Sequence, residues 1–242
     1  MGNVGCGTKR GEPPAPVGIL GSKMPDFELD STLGKTSLYK VFGEKWGILF
    51  SHPADFTPIC TTELGMAQEY LAEFEKRGVV IAGLSCNDSE SHKEWLKDIE
   101  AYTEKKRGKA YKPTYPIFAD TKREVAHMLG MIDMGHVSDK GIPLPARKVF
   151  IVDSKKTIRC TLCYPAATGR NFDEILRVID SMQLTTAEKL ATPANWKQGE
   201  DCVLLPNLKG EEAKAYNPTL IELPSGKEYL RTTKCPALEG KQ

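Results

Sequence analysis

Two uninterrupted apolar runs, Trp46-Gly47-Ile48-Leu49-Phe50 and Val79-Val80-Ile81-Ala82-Gly83-Leu84, limit the folds open to this chain more than any other feature. A strand with one wet face alternates apolar and polar residues, whereas a run without alternation belongs to a strand covered by helices on both sides of its sheet. Between the runs, Leu64, Ala67, Leu71 and Phe74 recur at helical spacing, and Gly78 supplies a stop. The stretch therefore reads as strand, crossover helix, strand.

Downstream, Trp95, Leu96 and Ile99 mark a second helix, and the basic stretch 105–112 an exposed connection. Tyr115-Pro116-Ile117-Phe118 begins a third strand, and Val125, Met128 and Leu129 mark a short helix. Residues 148–152 and 157–164 read as a hairpin turning at 153–156, and Phe172, Ile175, Leu176, Ile179 and Met182 as a last amphipathic helix. This order predicts an α/β domain of thioredoxin-like fold, a central β-sheet flanked by helices. Gly11-Glu12-Pro13-Pro14-Ala15-Pro16 can enter neither a helix nor a central strand, so residues 1–16 read as a flexible tail. Beyond Leu184 the chain becomes Pro-punctuated, with short strands near 202–205 and 229–232. The expected organisation is a tail (1–16), a main domain (17–184) and a small C-terminal domain (185–242).

Thirty-three basic and 32 acidic residues leave a formal charge of +1, with no basic excess to neutralise phosphates, so no nucleic-acid partner is expected. No apolar run approaches the roughly 20 residues that span a bilayer, and residues 1–10 lack the apolar core of a secretory signal. The 7 cysteines, at 6, 60, 86, 160, 163, 202 and 235, are scattered too irregularly for a secreted disulfide framework. They read as thiols in a reducing compartment, and the protein as cytoplasmic. Met1-Gly2-Asn3-Val4-Gly5-Cys6 resembles a myristoylation start, with Cys6 where the pattern prefers Ser or Thr. A plain tail is the favoured reading, and membrane contact is expected only if Gly2 and Cys6 are both acylated.

The chemistry concentrates in Ser51-His52-Pro53-Ala54-Asp55-Phe56-Thr57-Pro58-Ile59-Cys60-Thr61-Thr62-Glu63, where a buried strand hands over to a helix. Ligands bind at such carboxyl ends in open α/β sheets. Thr57 before Pro58 predicts a helix start, Thr as N-cap and Pro at the first helical position. Cys60 then falls in the first turn, where unpaired N–H groups and the positive dipole end favour a thiolate.

Pro53-x-x-x-Thr57-x-x-Cys60 resembles the peroxiredoxin active-site motif. The likeness extends through Gly47-Ile48-Leu49-Phe50-Ser51-His52-Pro53, Cys60-Thr61-Thr62-Glu63-Leu64, Pro145-Ala146-Arg147 and Tyr164-Pro165-Ala166-Ala167-Thr168-Gly169-Arg170-Asn171-Phe172. Together these are similar to the one-cysteine, peroxiredoxin-six-like branch, within the AhpC/TSA peroxidases of thioredoxin fold. The resemblance implies that 185–242 is a C-terminal 1-Cys peroxiredoxin domain and that Cys60 attacks the O–O bond of hydrogen peroxide or an organic hydroperoxide, becoming a sulfenic acid. It further implies that Thr57 hydrogen-bonds peroxide or thiolate, that Arg147 stabilises the charges, that Pro53 shields the pocket and that His52 supports the site. No metal or organic cofactor is implied. Two-cysteine members would place a resolving cysteine near Ser181-Met182, where none occurs, so an external thiol, glutathione or a thioredoxin-type protein, is the expected reductant. A homodimer is also implied, the second domain reaching toward the partner.

Two other readings carry less. Cys160-Thr161-Leu162-Cys163 has redox-dithiol spacing, but it lies within a strand, where positions i and i+3 face opposite sides, rather than at a helix start. Some members of the branch carry a phospholipase serine in a Gly-Asp-Ser-Trp-Gly segment. Here the stretch is Gly43-Glu44-Lys45-Trp46-Gly47, with Tyr39 where an accompanying histidine would stand, and that activity is not expected.

Overall fold

The computed structural model describes residues 18–236, so the tail reading, with Gly2 and Cys6, lies outside the described residues. In chain order the elements are β1 (Glu28–Leu29), β2 (Thr36–Ser37), α1 (Leu38–Phe42), β3 (Trp46–Ser51), α2 (Pro58–Glu69), α3 (Leu71–Lys76), β4 (Val79–Ser85), α4 (Ser89–Arg107), β5 (Ile117–Ala119) and α5 (Glu124–Met128). There follow β6 (Ile132–Val137), β7 (Pro143–Pro145), β8 (Arg147–Val152), β9 (Ile158–Tyr164), α6 (Phe172–Ala187), β10 (Leu190–Ala191), β11 (Cys202–Leu204), α7 (Gly210–Lys214), β12 (Thr219–Leu220) and β13 (Arg231–Thr233).

By contact the chain divides into two units: the described residues up to Glu69 with Val79–Arg170, and Tyr70–Gly78 with those from Asn171 on. The first is built on a mixed five-stranded sheet in the order β5-β4-β3-β8-β9, in which β3 runs parallel to β4 and antiparallel to β8. The two apolar runs are thus the central neighbouring strands, buried nearly throughout. On one face Leu49, Ala82, Leu84, Phe118 and Phe150 pack with Leu38 and Phe42 of α1 and Val125 and Ala126 of α5. Each of the buried leucine, valine and phenylalanine side chains contributes on the order of 1.5–3 kcal/mol. On the other, Phe50 meets Tyr115 edge to face at 5.7 Å, and the Tyr115 hydroxyl donates to the Leu64 carbonyl of α2 at 3.0 Å. The long α4 is capped at both ends, Asp88 accepting from the Ser91 N–H at 2.8 Å and Gly108 turning left-handed at φ 70°.

The second unit holds the four-stranded sheet β10-β11-β13-β12, and its core joins Leu184, Leu190, Trp196, Cys202, Leu204 and Leu208. Two sequence expectations differ here. The helix expected between the apolar runs is broken at Tyr70 into α2 and α3. Tyr70 packs on Phe172 and donates to Asp173, while Arg77 pairs with Asp180 at 2.6 Å, so α3 is tied to α6. The contacts also draw their division before α6 rather than after residue 184, because Leu184 at the end of that helix belongs to the C-terminal core.

Close approach, rather than turn geometry, explains Gly47 in β3. A Cβ there would stand 2.3 Å from the Phe42 ring, which is itself enclosed in the core. Gly47→Ala is expected to lower unfolding free energy by about 1–3 kcal/mol through overpacking, read from urea denaturation. An unchanged midpoint would show that the ring has room to yield.

Candidate active site

α2 begins at Pro58, as the Thr57-Pro58 pair predicts, and Cys60 lies in its first turn with no solvent exposure. The hydroxyl of Thr57 donates to the Ala54 carbonyl at 2.8 Å, and the Thr57 carbonyl accepts the Thr61 N–H at 3.0 Å. The Thr57 side chain therefore ties the loop to itself, which leaves its oxygen lone pairs as acceptors. Phe56, just before, is held at φ 54°, a left-handed conformation that costs a non-glycine residue about 1 kcal/mol or more. Pro53 is buried in the same loop.

Across the sheet, β8 delivers Arg147. Its guanidinium Nη1 lies 3.3 Å from Cys60 Sγ and donates to Glu63 Oε2 at 2.6 Å, while Nε and Nη2 both donate to the Ala166 carbonyl, at 3.0 and 2.8 Å. Ser51 sets this alignment, its hydroxyl donating to the Ala146 carbonyl at 2.7 Å and accepting the Lys148 N–H at 3.1 Å. Glu63, one turn along α2 from Cys60, is buried and receives a second arginine. Arg170 gives it a backbone N–H and Nη1, both at 2.7 Å, and directs Nη2 to the Ser51 carbonyl. Burial pushes the Arg170 guanidinium down from its ordinary range while Glu63 holds it up.

Cys60, Glu63, Arg147 and Arg170 are each 9% exposed or less, so their charges meet with little water between them. Two guanidinium cations and one carboxylate leave a surplus positive charge, which a Cys60 thiolate cancels. The arrangement can thus stabilise an anionic sulfur and, on the same N–H donor, a developing negative oxygen.

His52 is completely buried, and its Nε2 lies 2.8 Å from Asp55 Oδ1; His92 Nδ1 lies 2.7 Å from Asp55 Oδ2. Burial pushes the His52 imidazole down from its ordinary range. Burial also pushes Asp55 up, but the hydrogen bonds from the two histidines outweigh it and hold the carboxyl well below the usual range. His52, Asp55 and His92 are of metal-ligand type, with donor atoms within 4.8 Å of one another. Both oxygens of Asp55 already take a ring N–H, and Ser91 donates a third bond at 2.7 Å, so hydrogen bonding accounts for the cluster without a cation.

Of the expected residues, Cys60 and Arg147 meet directly, whereas Thr57 bonds to Ala54 and His52 to Asp55. Glu63 and Arg170 stand in the segments that carry the resemblance but received no role from sequence. The usable signal was charge: a buried Arg147 needs a carboxylate partner, and Glu63 lies one helical turn from the cysteine. The pair Cys160 and Cys163 sits in mid-strand β9, opposite Ile151 and Lys148, away from any helix start.

Residues 20–161 match the AhpC/TSA family, and residues 181–215 match the C-terminal domain of 1-Cys peroxiredoxin. The chain is 49% identical over 217 residues to 1-Cys peroxiredoxin of Medicago truncatula, covering 88% of this chain and 97% of the relative. It is 48% identical over 221 residues to Peroxiredoxin-6 of Rattus norvegicus, covering 90% and 98%. A solved cysteine-to-serine mutant of the Peroxiredoxin 6 of Arenicola marina aligns with a TM-score of 0.85 at 47% identity, over 90% of this chain and 98% of that one. A yeast mitochondrial 1-Cys peroxiredoxin, described with a thiol resolving mechanism via glutathione/thioredoxin systems, aligns at 0.78 and 40% identity, over 89% and 99%.

Removing one member of a buried ion cluster leaves its partners uncompensated. Glu63→Gln is expected to destabilise the protein by about 3–5 kcal/mol, measured by equilibrium unfolding. A loss below about 1 kcal/mol would mean that water, not Glu63, balances the two arginines.

Proposed function

The chain belongs to the AhpC/TSA family and is a peroxiredoxin, a thiol-dependent peroxidase, and from that membership we propose that Cys60 is its attacking residue and works by the one-cysteine cycle. The observation that carries the assignment is the 3.3 Å approach of Arg147 Nη1 to Cys60 Sγ inside a buried, charge-balanced cluster.

In this reading the Cys60 thiolate attacks one peroxide oxygen in line with the O–O bond. The bond breaks, sulfur gains the oxygen as a sulfenic acid, and the departing oxygen takes a proton and leaves as water or alcohol. Arg147 stabilises the thiolate before attack and the leaving oxygen during it; the two N–H groups it donates to the Ala166 carbonyl keep Nη1 on the sulfur. Thr57, whose hydroxyl hydrogen is engaged by Ala54, accepts the hydrogen of the incoming peroxide. Pro53 limits water around the sulfur, and His52, neutral and braced by Asp55, supports the loop.

An external thiol then attacks the sulfenic sulfur, releasing water and leaving a mixed disulfide, and a second thiol restores Cys60. Glutathione or a thioredoxin-type protein is the proposed reductant, in line with the systems named for the yeast neighbour. Hydrogen peroxide and organic hydroperoxides are the proposed substrates, and antioxidant defence in the cytoplasm the proposed setting. Among the described residues no helix is long and apolar enough to cross a membrane.

Stopped-flow peroxide consumption with dimedone trapping tests the chemistry. Wild type should react rapidly with one adduct at Cys60, and Cys60→Ser should be inert. Arg147→Lys keeps a charge but loses the fork and should fall about 100-fold in kcat/KM. Equal rates in wild type and Cys60→Ser would end the assignment.

A homodimer is the proposed assembly, with β9, the edge strand of the five-stranded sheet, as the proposed contact beyond the bonds that Ile158 makes to Gly21 and Ser22. Light scattering after gel filtration should give twice the 26.8 kDa chain mass. A single-chain mass at every concentration would remove the dimer.

A further inference from the structure

The C-terminal unit carries two thiols that the chemistry at Cys60 does not use. Cys202 opens β11, is fully buried, and packs in the core with Trp196, Leu204 and Leu208. Cys235 lies two residues past the end of β13 and packs half-buried against the same core. β11 and β13 are antiparallel, with Cys202 opposite Thr233. Residues two apart on an extended chain share a face, so Cys235 stands on the Cys202 side of the sheet, diagonal to it. An ion pair from Lys234 Nζ to Asp201 at 2.8 Å holds this extension beside β11. The two sulfurs sense each other: burial, and then the neighbouring Cys235 thiol, push Cys202 up to about 12.

We propose that Cys202 and Cys235 are a second redox site, a dithiol that hydroperoxide converts reversibly to a disulfide. Diagonal Cα atoms on an antiparallel pair are roughly 7–8 Å apart, and a disulfide spans about 4.4–6.8 Å. The remaining gap closes by a shift of residues 234–236, which lie outside β13 and lack its ladder bonds. Cys235, the more exposed thiol, reacts first. Its thiolate attacks a peroxide oxygen, the O–O bond breaks, and water or alcohol departs, leaving a sulfenic acid. The Cys202 sulfur then attacks that of Cys235, the S–S bond forms, and the sulfenic oxygen leaves as water with the thiol proton. The bond closes a loop carrying α7 and β12 and fastens the end of the chain to β11, which narrows the unfolded ensemble and stiffens the unit. Reduction by a dithiol reverses it.

The full chain carrying Cys60→Ser, so that oxidation at that position does not compete, is treated with a large molar excess of hydrogen peroxide. It is then unfolded in denaturant containing N-ethylmaleimide, digested without reductant and mapped by mass spectrometry. The expected result is a peptide pair joined through Cys202 and Cys235 that dithiothreitol separates. Adding Cys202→Ser should replace the pair with a dimedone adduct on Cys235. Adding Cys235→Ser, at a half-buried position, should abolish the pair and leave Cys202 blocked only after unfolding. Cys235 passing to sulfinic acid without a cross-link, Cys202 pairing elsewhere, or both thiols staying fully maleimide-labelled would each overturn the proposal. None of these outcomes depends on which residue performs the main peroxidase step.

Discussion

Everything at the reactive end of the sheet depends on one carboxylate. Glu63 is buried between Arg147 and Arg170, and its two oxygens take three N–H donors from them at 2.6–2.7 Å. Without Glu63, two guanidinium groups would face each other in a site where water does not screen them, at a cost of several kcal/mol. With it, a single positive charge remains, and Arg147 directs that charge at Cys60. The cluster therefore holds the sheet end together, and in the proposed chemistry its excess charge stabilises the negative oxygen that leaves the peroxide. This also explains why the two arginines are not equivalent. Arg170 spends its donors on Glu63 and on the backbone of β3, whereas Arg147 keeps one nitrogen on the sulfur.

The scaffold makes that geometry rigid. Cys60 and Glu63 are placed by one helix, three residues apart, and so lie on neighbouring positions of a single face. Arg147 comes from the first residue of β8, and Ser51, the last residue of β3, bonds both sides of it through Ala146 and Lys148. The strained Phe56 and the Thr57–Ala54 bond turn the chain sharply between β3 and α2, so that the first helical turn faces the sheet end. Side chains held on strands and a helix lose little freedom when a peroxide arrives, which is the condition for a preorganised electrostatic site.

Much of this was legible in the sequence. The continuous apolar runs identify β3 and β4, because only strands covered on both faces lack alternation, and Asp153 to Lys156 mark the turn between β8 and β9. Thr57-Pro58 identifies the start of α2, and hence the position of Cys60. Other features were not legible. The hairpin of β6 and β7 has no clean alternation, and β10 and β12 are two residues long, too short to carry a period. The break at Tyr70 answers to Phe172 and Asp173, about a hundred residues away, contacts that no local pattern records. Glu63 and Arg170 escaped for the same reason: each is an ordinary helix or loop residue until the fold brings Glu63 between Arg147 and Arg170.

The cysteines show how far environment, rather than residue type, decides chemistry. Burial pushes Cys86 up to about 11 and Cys202 up to about 12, because each loses water without gaining a hydrogen-bonded cation on its sulfur. Cys60 is buried as completely as Cys202, yet it faces a guanidinium and sits at a helix start. In a low dielectric a cation at contact distance acts far more strongly than it would in water, which sets the surroundings of Cys60 apart from those of Cys202. The proposed reactivity of Cys60 therefore rests on the charge left over by Glu63, Arg147 and Arg170, whereas Cys202 has beside it only a second sulfur, which gives it a partner for a disulfide rather than a lowered pKa.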